Sequence, residues 1–392
     1  MLNLHVETDT DTLLACCARR GLAIKRVGML KTRPDSRHWH LTLRGRPGTI
    51  EVTDAGGGVA LKVAANRDAG WAMALAKRLD RELTEAAASA RGEVLPVRPR
   101  VLLVTHNPPA ASEGGRRLSE CFGWHDPDAL AQQCIADIEA ASHGYLRYEI
   151  VERIAADWFP VKKDGFRYSA ESYERAWRTR AFHQPDAIDY EAQVQRFDLI
   201  GRYERGEIDE AWFMAFPYSG DWESTMVGSG AFWCNSPPVP NTGRCAGRFV
   251  IMAFNYERDV GCMLENFGHR VESIMERVYR RHAPDRNLWH RFIRYDKVAP
   301  DQSHCGNVHF APNSARDYDW GSPRPVTSYC DDWLSFPHLP GIPRTVDCRE
   351  WGGGHMRAHH VWWLGHLPHV AGDTDGVQNN WWGYVVDPNR VA

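Results

Sequence analysis

This 392-residue sequence has almost no net charge and no long apolar segment. Its formal net charge is -3 at pH 7, so no overall field attracts nucleic acid or anionic lipid. Apolar runs such as FVIMAF are far shorter than the roughly 20 residues that span a bilayer, and the start MLNLHVETDTDT lacks the basic and apolar regions of a signal peptide. These absences predict a cytoplasmic protein with neither nucleic acid nor membrane as a partner.

Several familiar catalytic motifs are also missing. The sequence has no G-x-S-x-G elbow, P-loop, G-x-G-x-x-G turn or H-E-x-x-H pair, which disfavours serine hydrolases, nucleotide hydrolases, classical dinucleotide enzymes and one large class of zinc peptidase. Its 10 cysteines include no C-x-x-C pair, so reduced thiols are expected. An oxidising compartment stays open, because Cys234 with Cys245 and Cys330 with Cys348 have spacings that suit disulfides.

The composition and length predict a globular protein of two domains. Hydrophobic residues make up 43% and charged residues 25% of the chain, which is the usual globular mixture. Residues 1–90 contain three alternating runs, HWHLTLRG, GTIEVTD and GVALKVA, and helical patterns at about 10–20 and 69–88. This pattern predicts a small α+β domain with an antiparallel meander, followed by a linker over 91–100.

A larger α/β domain is predicted over 101–392. The continuous apolar runs VLLV, AWFMAF and FVIMAF are typical of strands that are buried on both faces, and YLRYEIVERI is a further strand candidate. Helical patterns at about 127–141, 170–180 and 189–205 alternate with these runs. Over 101–281 we therefore expect a largely parallel sheet with flanking helices.

The last part of the chain, 282–392, differs in composition from the part before it. Proline and glycine recur every few residues, with tryptophan and histidine between them. So many large aromatic residues would not occur in a disordered tail, so we expect a long, irregular segment that covers the α/β layer.

Polar residues follow each buried strand, where ligands bind in open parallel sheets. They are Thr105, His106 and Asn107; Tyr218 and Glu223; and Asn255, Tyr256 and Glu257. Loop polarity alone explains most of them. His106 and Glu257 are preferred as candidate catalytic residues.

The clearest helix pattern lies in ERDVGCMLENFGHRVESIMERVYRR, where Glu265, His269, Glu272 and Glu276 share the polar face. A solvated charged face is one interpretation. If the C-terminal segment covers that face, the buried Glu and His side chains need partners or a metal. His269 and Glu272 form an H-x-x-E pair, which is similar to the zinc-binding pair of carboxypeptidase-type metallopeptidases. That similarity covers two residues only, and here the pair lies inside a helix rather than at a strand end, so no family is assigned.

Further ligand candidates come from the C-terminal segment. His309 lies between Val308 and Phe310, which would hold its ring in a fixed direction and suit either a ligand or a core histidine. In GGGHMRAHHVWWLGHLPH, a helix over 355–364 would place His355 and His359 on one face and His360 on another, with His366 in the following turn. The alternative is a tryptophan-wedged core helix with histidines at its rim.

Two main functions follow from these patterns. The first is a hydrolase that uses a divalent metal, zinc above all, to activate water on a peptide or other amide. Its predicted ligands are His269, Glu272, His309, His355, His359, His360 and His366, and Glu265 or Glu272 serves as the base. The second is a non-catalytic protein that binds a glycan or peptide on the tryptophan-rich stretches HHVWWLGH and NNWWGYVVDPN. A scaffold that has lost its chemistry is a weaker third. The sequence does not indicate an oligomeric state.

Overall fold

The computed structural model describes residues 2–6, 8–54, 58–64, 70–112 and 114–392. The fold has mixed α and β content, with two five-stranded sheets and two short antiparallel hairpins.

The N-terminal residues form one of the five-stranded sheets. Its elements are β1 (Leu2–Val6), α1 (Thr10–Arg19), β2 (Ala23–Leu30), β3 (Arg33–Thr42), β4 (Ile50–Asp54), β5 (Val59–Val63) and α2 (Gly70–Ala90). The strand order is β1-β5-β4-β3-β2, and every pair is antiparallel. β3, β4, β5 and both helices match the sequence patterns. β1 and β2 lie at the sheet edges, and β2 is mostly exposed, so it shows no alternation of apolar and polar residues. The domain boundary at 91–100 stays a prediction.

The second five-stranded sheet is mixed. Its strands and the surrounding helices are β6 (Arg100–His106), α3 (Leu118–Phe122), α4 (Pro127–Ala141), β7 (Glu149–Ala156), α5 (Ala170–Thr179), α6 (Tyr190–Arg196), α7 (Leu199–Glu204), β8 (Glu210–Ala215), β9 (Ser224–Gly228), β10 (Arg248–Asn255), α8 (Val260–Tyr279) and α9 (Leu288–Phe292). The order is β7-β6-β8-β10-β9; the first four strands are parallel, and β9 runs antiparallel to β10.

Helices cover both faces of this mixed sheet. Alternate strand residues divide between two cores: Leu103 and Met214 pack with α4 and α8, whereas Leu102 and Phe213 pack with α6 and α7. The single helix expected over 189–205 is wrong, because the chain breaks between α6 and α7 at Asp198, which has a positive φ of 47°.

The C-terminal segment is more regular than its composition indicates. It contains β11 (Val326–Ser328), β12 (Arg344–Val346), α10 (Met356–Gly365), β13 (His369–Thr374), β14 (Val377–Asn380) and α11 (Trp382–Val386). Two hairpins, β11-β12 and β13-β14, correct the expectation of a wholly irregular cover. α10 packs against α8, so this segment does lie over that helix.

Two further sequence expectations bear on the chain as a whole. Among the described residues, no helix combines the length and apolarity that a membrane crossing needs. Cys234, Cys245, Cys330 and Cys348 carry free thiols, so neither of the possible disulfides is formed.

Candidate metal centre

Helix α8 carries two residues of the candidate centre, and its sequence determines which of its faces packs on the sheet. Asp259 caps its N-terminus by accepting a hydrogen bond from the Gly261 backbone N-H. The apolar stripe predicted from the sequence is buried against the sheet, from Val260 to Met275. Arg270, which is fully buried, pairs with Glu210 of β8 and donates to the Val385 carbonyl at 2.8 Å. These contacts set the rotation of α8 about its axis.

Three of the predicted side chains meet beside this helix. Glu265 and His269 project from α8 toward the loop that carries His309. The His269 Nε2 and His309 Nε2 atoms are 3.1 Å apart, and His309 Nε2 lies 3.2 Å from Glu265 Oε1. Zn-N bonds of about 2.0–2.1 Å put tetrahedral ligands roughly 3.3 Å apart. The two distances to His309 Nε2 are close to this separation, and the ligand atoms of all three residues lie within 4.8 Å of one another.

The other nitrogen of each imidazole is held by a carboxylate. His269 Nδ1 lies 2.8 Å from Glu272 Oε2, and His309 Nδ1 lies 3.1 Å from Asp317 Oδ1. Glu272 also accepts the Val308 backbone N-H at 3.1 Å, which ties the loop to the helix. A carboxylate on Nδ1 selects the tautomer whose Nε2 lone pair is available to a metal. Glu272 is thus placed to orient a ligand rather than to be one.

Neighbouring charges raise the pKa of both imidazoles. Burial opposes the charged form of His269, but the hydrogen bond that His269 donates to Glu272 and the nearby carboxylates outweigh it and raise the His269 pKa above 6.5. The hydrogen bond with Glu265 raises the pKa of His309 against the effect of burial. In turn, His309 and Tyr318 outweigh burial and lower the pKa of Glu265. The surrounding carboxylates therefore favour positive charge at the two imidazoles.

Glu223 and Tyr318 complete the surroundings of the centre. Glu223 Oε2 lies 4.0 Å from His269 Nε2 and accepts a hydrogen bond from Asn235 Nδ2. Burial, with Glu265 adding to it, raises the Glu223 pKa against the opposing effect of His269. The Tyr318 hydroxyl is 3.1 Å from His309 Nε2. Glu223 is among the polar residues that follow β8, but the sequence favours His106 and Glu257 instead.

Those two favoured residues lie elsewhere. His106 is fully buried beside Phe213, and burial lowers its pKa to about 4, so it is a neutral core imidazole. Its Nδ1 contacts the Trp158 carbonyl at 3.3 Å. Glu257 lies in the turn between β10 and α8, where its backbone N-H donates to the Asn255 side chain. Neither joins the group formed by Glu265, His269 and His309.

The histidines of α10 and its ends do not converge with this group either. His355 is exposed at the N-cap of α10. His359 is fully buried against Trp320, and burial lowers its pKa well below 6.5. His360 supports the His309 loop, because its Nε2 lies 3.1 Å from the Val308 carbonyl. The approach of α10 to α8 therefore places His360 against the loop that carries His309, and the candidate ligand itself belongs to that loop.

A second group of possible ligands includes His366. Its members are Cys330, Asp331 and His366. Arg344 already engages both oxygens of Asp331, at 2.7 and 2.9 Å, and burial raises the Cys330 pKa to about 11. A neutral thiol and an arginine-bound carboxylate make this group a much poorer cation site than the first.

The tryptophan-rich stretches HHVWWLGH and NNWWGYVVDPN, on which the sequence predicts glycan or peptide binding, expose little indole surface. Three of their four tryptophans, Trp363, Trp381 and Trp382, are fully buried, so the faces of these rings are unavailable to a glycan or peptide. The fourth, Trp362, is half-buried. The most exposed indole of the described chain is Trp233, at 60%. It lines a pocket of about 570 Å³ that opens beside His269 and Glu272.

Comparisons with other proteins add no assignment to this geometry. No protein family, curated protein or solved structure matches the chain.

Proposed function

We propose that this protein is a metal-dependent hydrolase in which Glu265, His269 and His309 hold a zinc-like ion, and that its substrate is a peptide or another amide. The observation that carries the proposal is the convergence of two Nε2 atoms and a carboxylate oxygen, with a second carboxylate on each Nδ1. Imidazole ligands suit zinc better than magnesium or calcium. Three protein ligands leave a fourth position for water, which is the pattern of catalytic rather than structural zinc.

The proton transfers are assigned to Glu223. A bound zinc-like ion supplies Lewis-acid activation of water near neutral pH. Glu223 lies 4.0 Å from His269 Nε2 and has a raised pKa, so it takes the proton of the attacking water and returns it to the amine nitrogen as the C-N bond breaks. Tyr318, whose pKa burial raises, keeps its proton and donates a hydrogen bond to the developing oxyanion.

The Glu223→Gln variant tests this assignment. Gln keeps the shape of the side chain but cannot accept the proton. We expect the variant to bind one zinc per chain while amine release from a panel of synthetic N-acyl peptides falls by about 10²–10⁴-fold. Glu93→Gln, a matched change at an exposed position, leaves the rate unchanged. Full activity in Glu223→Gln, or no amine release by the zinc-loaded wild type, contradicts the proposal.

A further inference from the structure

The pocket beside the candidate centre runs along one face of α8. Its wall starts at His269 and Glu272 and continues over Ser273 and Glu276 to Arg277 and Arg280. At 1.5 Å per residue, Arg277 lies about 12 Å and Arg280 about 16 Å beyond His269 along the helix. The pocket therefore extends from the candidate metal centre to two cationic side chains, Arg277 and Arg280.

Arg277 has unused hydrogen-bonding capacity. Its buried Nε atom has no hydrogen-bond partner. Within the described part of the chain, neither Arg277 nor Arg280 forms an ion pair, and the adjacent Glu276 pairs with His290 at 3.0 Å. An arginine left without a carboxylate in a pocket is suited to a planar anion, which accepts two parallel hydrogen bonds from a guanidinium group.

A second observation adds positive charge at the same end. The ring of Phe232, which lines the pocket, lies close to two guanidinium groups, that of Arg277 at 5.4 Å and that of Arg248 at 5.2 Å. Arg248 donates to the Gly230 and Val391 carbonyls. Burial lowers the Arg248 pKa to about 10, with Arg277 and Arg20 adding to the effect against Asp387. The field at this end of the pocket thus favours an anion.

Aromatic side chains also line the pocket. Phe232 and the exposed Trp233 form its wall together with the buried Trp289. The spacing of the ends sets the length of a ligand that bridges them, since an extended peptide covers about 3.3–3.6 Å per residue. A separation of about 12–16 Å corresponds to roughly three to five residues.

We infer that Arg277 and Arg280 bind the C-terminal carboxylate of a short peptide whose scissile amide lies at the candidate metal centre, roughly three to five residues upstream. The inference rests on the proposed function for its reacting end. The carboxylate subsite itself requires no metal. The substrate class is therefore short peptides with a free carboxyl terminus, rather than internal segments of folded proteins.

Binding to metal-free protein tests the subsite apart from the chemistry. The probes are N-benzoyl-triglycine and its C-terminal amide, titrated calorimetrically against the EDTA-treated protein. We expect the acid to bind at least about tenfold more tightly than the amide. In Arg277→Gln, and separately in Arg280→Gln, that preference falls severalfold or more, while amide binding is unchanged.

Arg281→Gln is the matched control, since it removes the same charge at an exposed position that does not line the pocket. It should keep the preference for the acid. Equal binding of acid and amide, no binding of either, or an equal loss in Arg281→Gln overturns the subsite. These outcomes leave zinc binding untouched, whereas failure to bind zinc overturns the proposed function and leaves the carboxylate preference in place.

Discussion

At the scale of single residues, His269 and His309 differ from the other histidines of the core. In each of them a carboxylate contacts Nδ1, and the two Nε2 atoms lie 3.1 Å from each other. His106 and His359 are buried among aromatic rings, form no ion pair with any residue that the structure describes, and have lowered pKa values. Carboxylates therefore favour the charged form of His269 and His309, whereas burial favours the neutral form of His106 and His359.

Glu272 tests the importance of that arrangement. Replacing it with Gln weakens its hold on His269 Nδ1 while keeping the shape of the side chain. Outer partners of this kind alter metal affinity about 10–100-fold, so zinc titration should show one site of that much lower affinity. Glu276→Gln, one turn further along α8 on an exposed side chain, should leave the affinity unchanged. Equal affinities in the two variants would contradict the orienting role.

The sequence predicts which residues come together better than it predicts what each one contributes. The spacing on α8 groups Glu265, His269 and Glu272, and the apolar neighbours of His309 indicate a ring held in a fixed direction. The sequence does not single out Glu223, which lies immediately before β9, because only the pairing of β9 with β10 in the folded sheet places it near His269. His355 and His359 share helical spacing but not a common environment, since one is exposed and the other lies against Trp320.

At the scale of elements, the centre depends on a close approach between α8 and the loop at 308. A Cβ atom added to Gly268 would lie 2.6 Å from Val308 Cγ2, well inside an ordinary contact. Val308 is fully buried and β-branched, so it has little room to move. Its neighbour His309 is a candidate ligand, which couples packing at this point to metal binding.

The Gly268→Ala variant should therefore be destabilised. Alanine gains about 1 kcal/mol over glycine in a helix, but overpacking a filled core costs about 1–3 kcal/mol, so we expect a lower urea midpoint and weaker zinc binding. Gly365→Ala, at the end of α10 with no atom within 4 Å of the new Cβ, should be neutral or stabilising. A Gly268→Ala protein as stable as Gly365→Ala would show that the interface is not tightly packed.

The element pattern also explains what the sequence predicts well and poorly. Long apolar runs and helices with a clear stripe appear where the sequence places them, because burial on both faces or on one stripe leaves a strong periodic signal. The short hairpins β11-β12 and β13-β14 carry no such signal. The tryptophan that follows β14, Trp381, packs against residues that are distant in the sequence, Phe292 and Trp333.

At the scale of the whole molecule, buried charges join the two ends of the chain. Arg20, after α1, lies 2.6 Å from Glu82 of α2 and 3.4 Å from Asp387. Arg390 lies 2.6 Å from Glu85. The N-terminal helices are thereby fastened to the C-terminal segment that covers α8.

This network predicts loss of stability in acid. Burial opposes ionisation of Asp387, but Arg20 and Arg390 outweigh it and hold its pKa well below the ordinary 3.8; the Glu82 pKa is also lowered. A lowered carboxyl pKa stabilises the fold above the unfolded value, about 4, and the contribution is lost as the pH falls below it. The urea midpoint of the wild type should therefore drop between pH 5 and 3.

Asp387→Asn should be less stable at pH 7, by about 3 kcal/mol for a broken buried pair, and should show a smaller drop in acid. Asp285→Asn, at an exposed site, should follow the wild type at both pH values. If the urea midpoint of Asp387→Asn fell with pH as steeply as that of the wild type, the buried charges around Asp387 would not be the cause of the acid sensitivity.

Calorimetric zinc titration of the EDTA-treated protein at pH 7 is the sharpest test of the claim that Glu265, His269 and His309 form one metal site. We predict one zinc per chain for the wild type and for His355→Ala, whose histidine is exposed and does not belong to this group. His309→Ala should lose this site or bind at least about 100-fold more weakly, because it lacks one of three ligands. Absence of stoichiometric zinc in the wild type, or unchanged binding in His309→Ala, would contradict the claim.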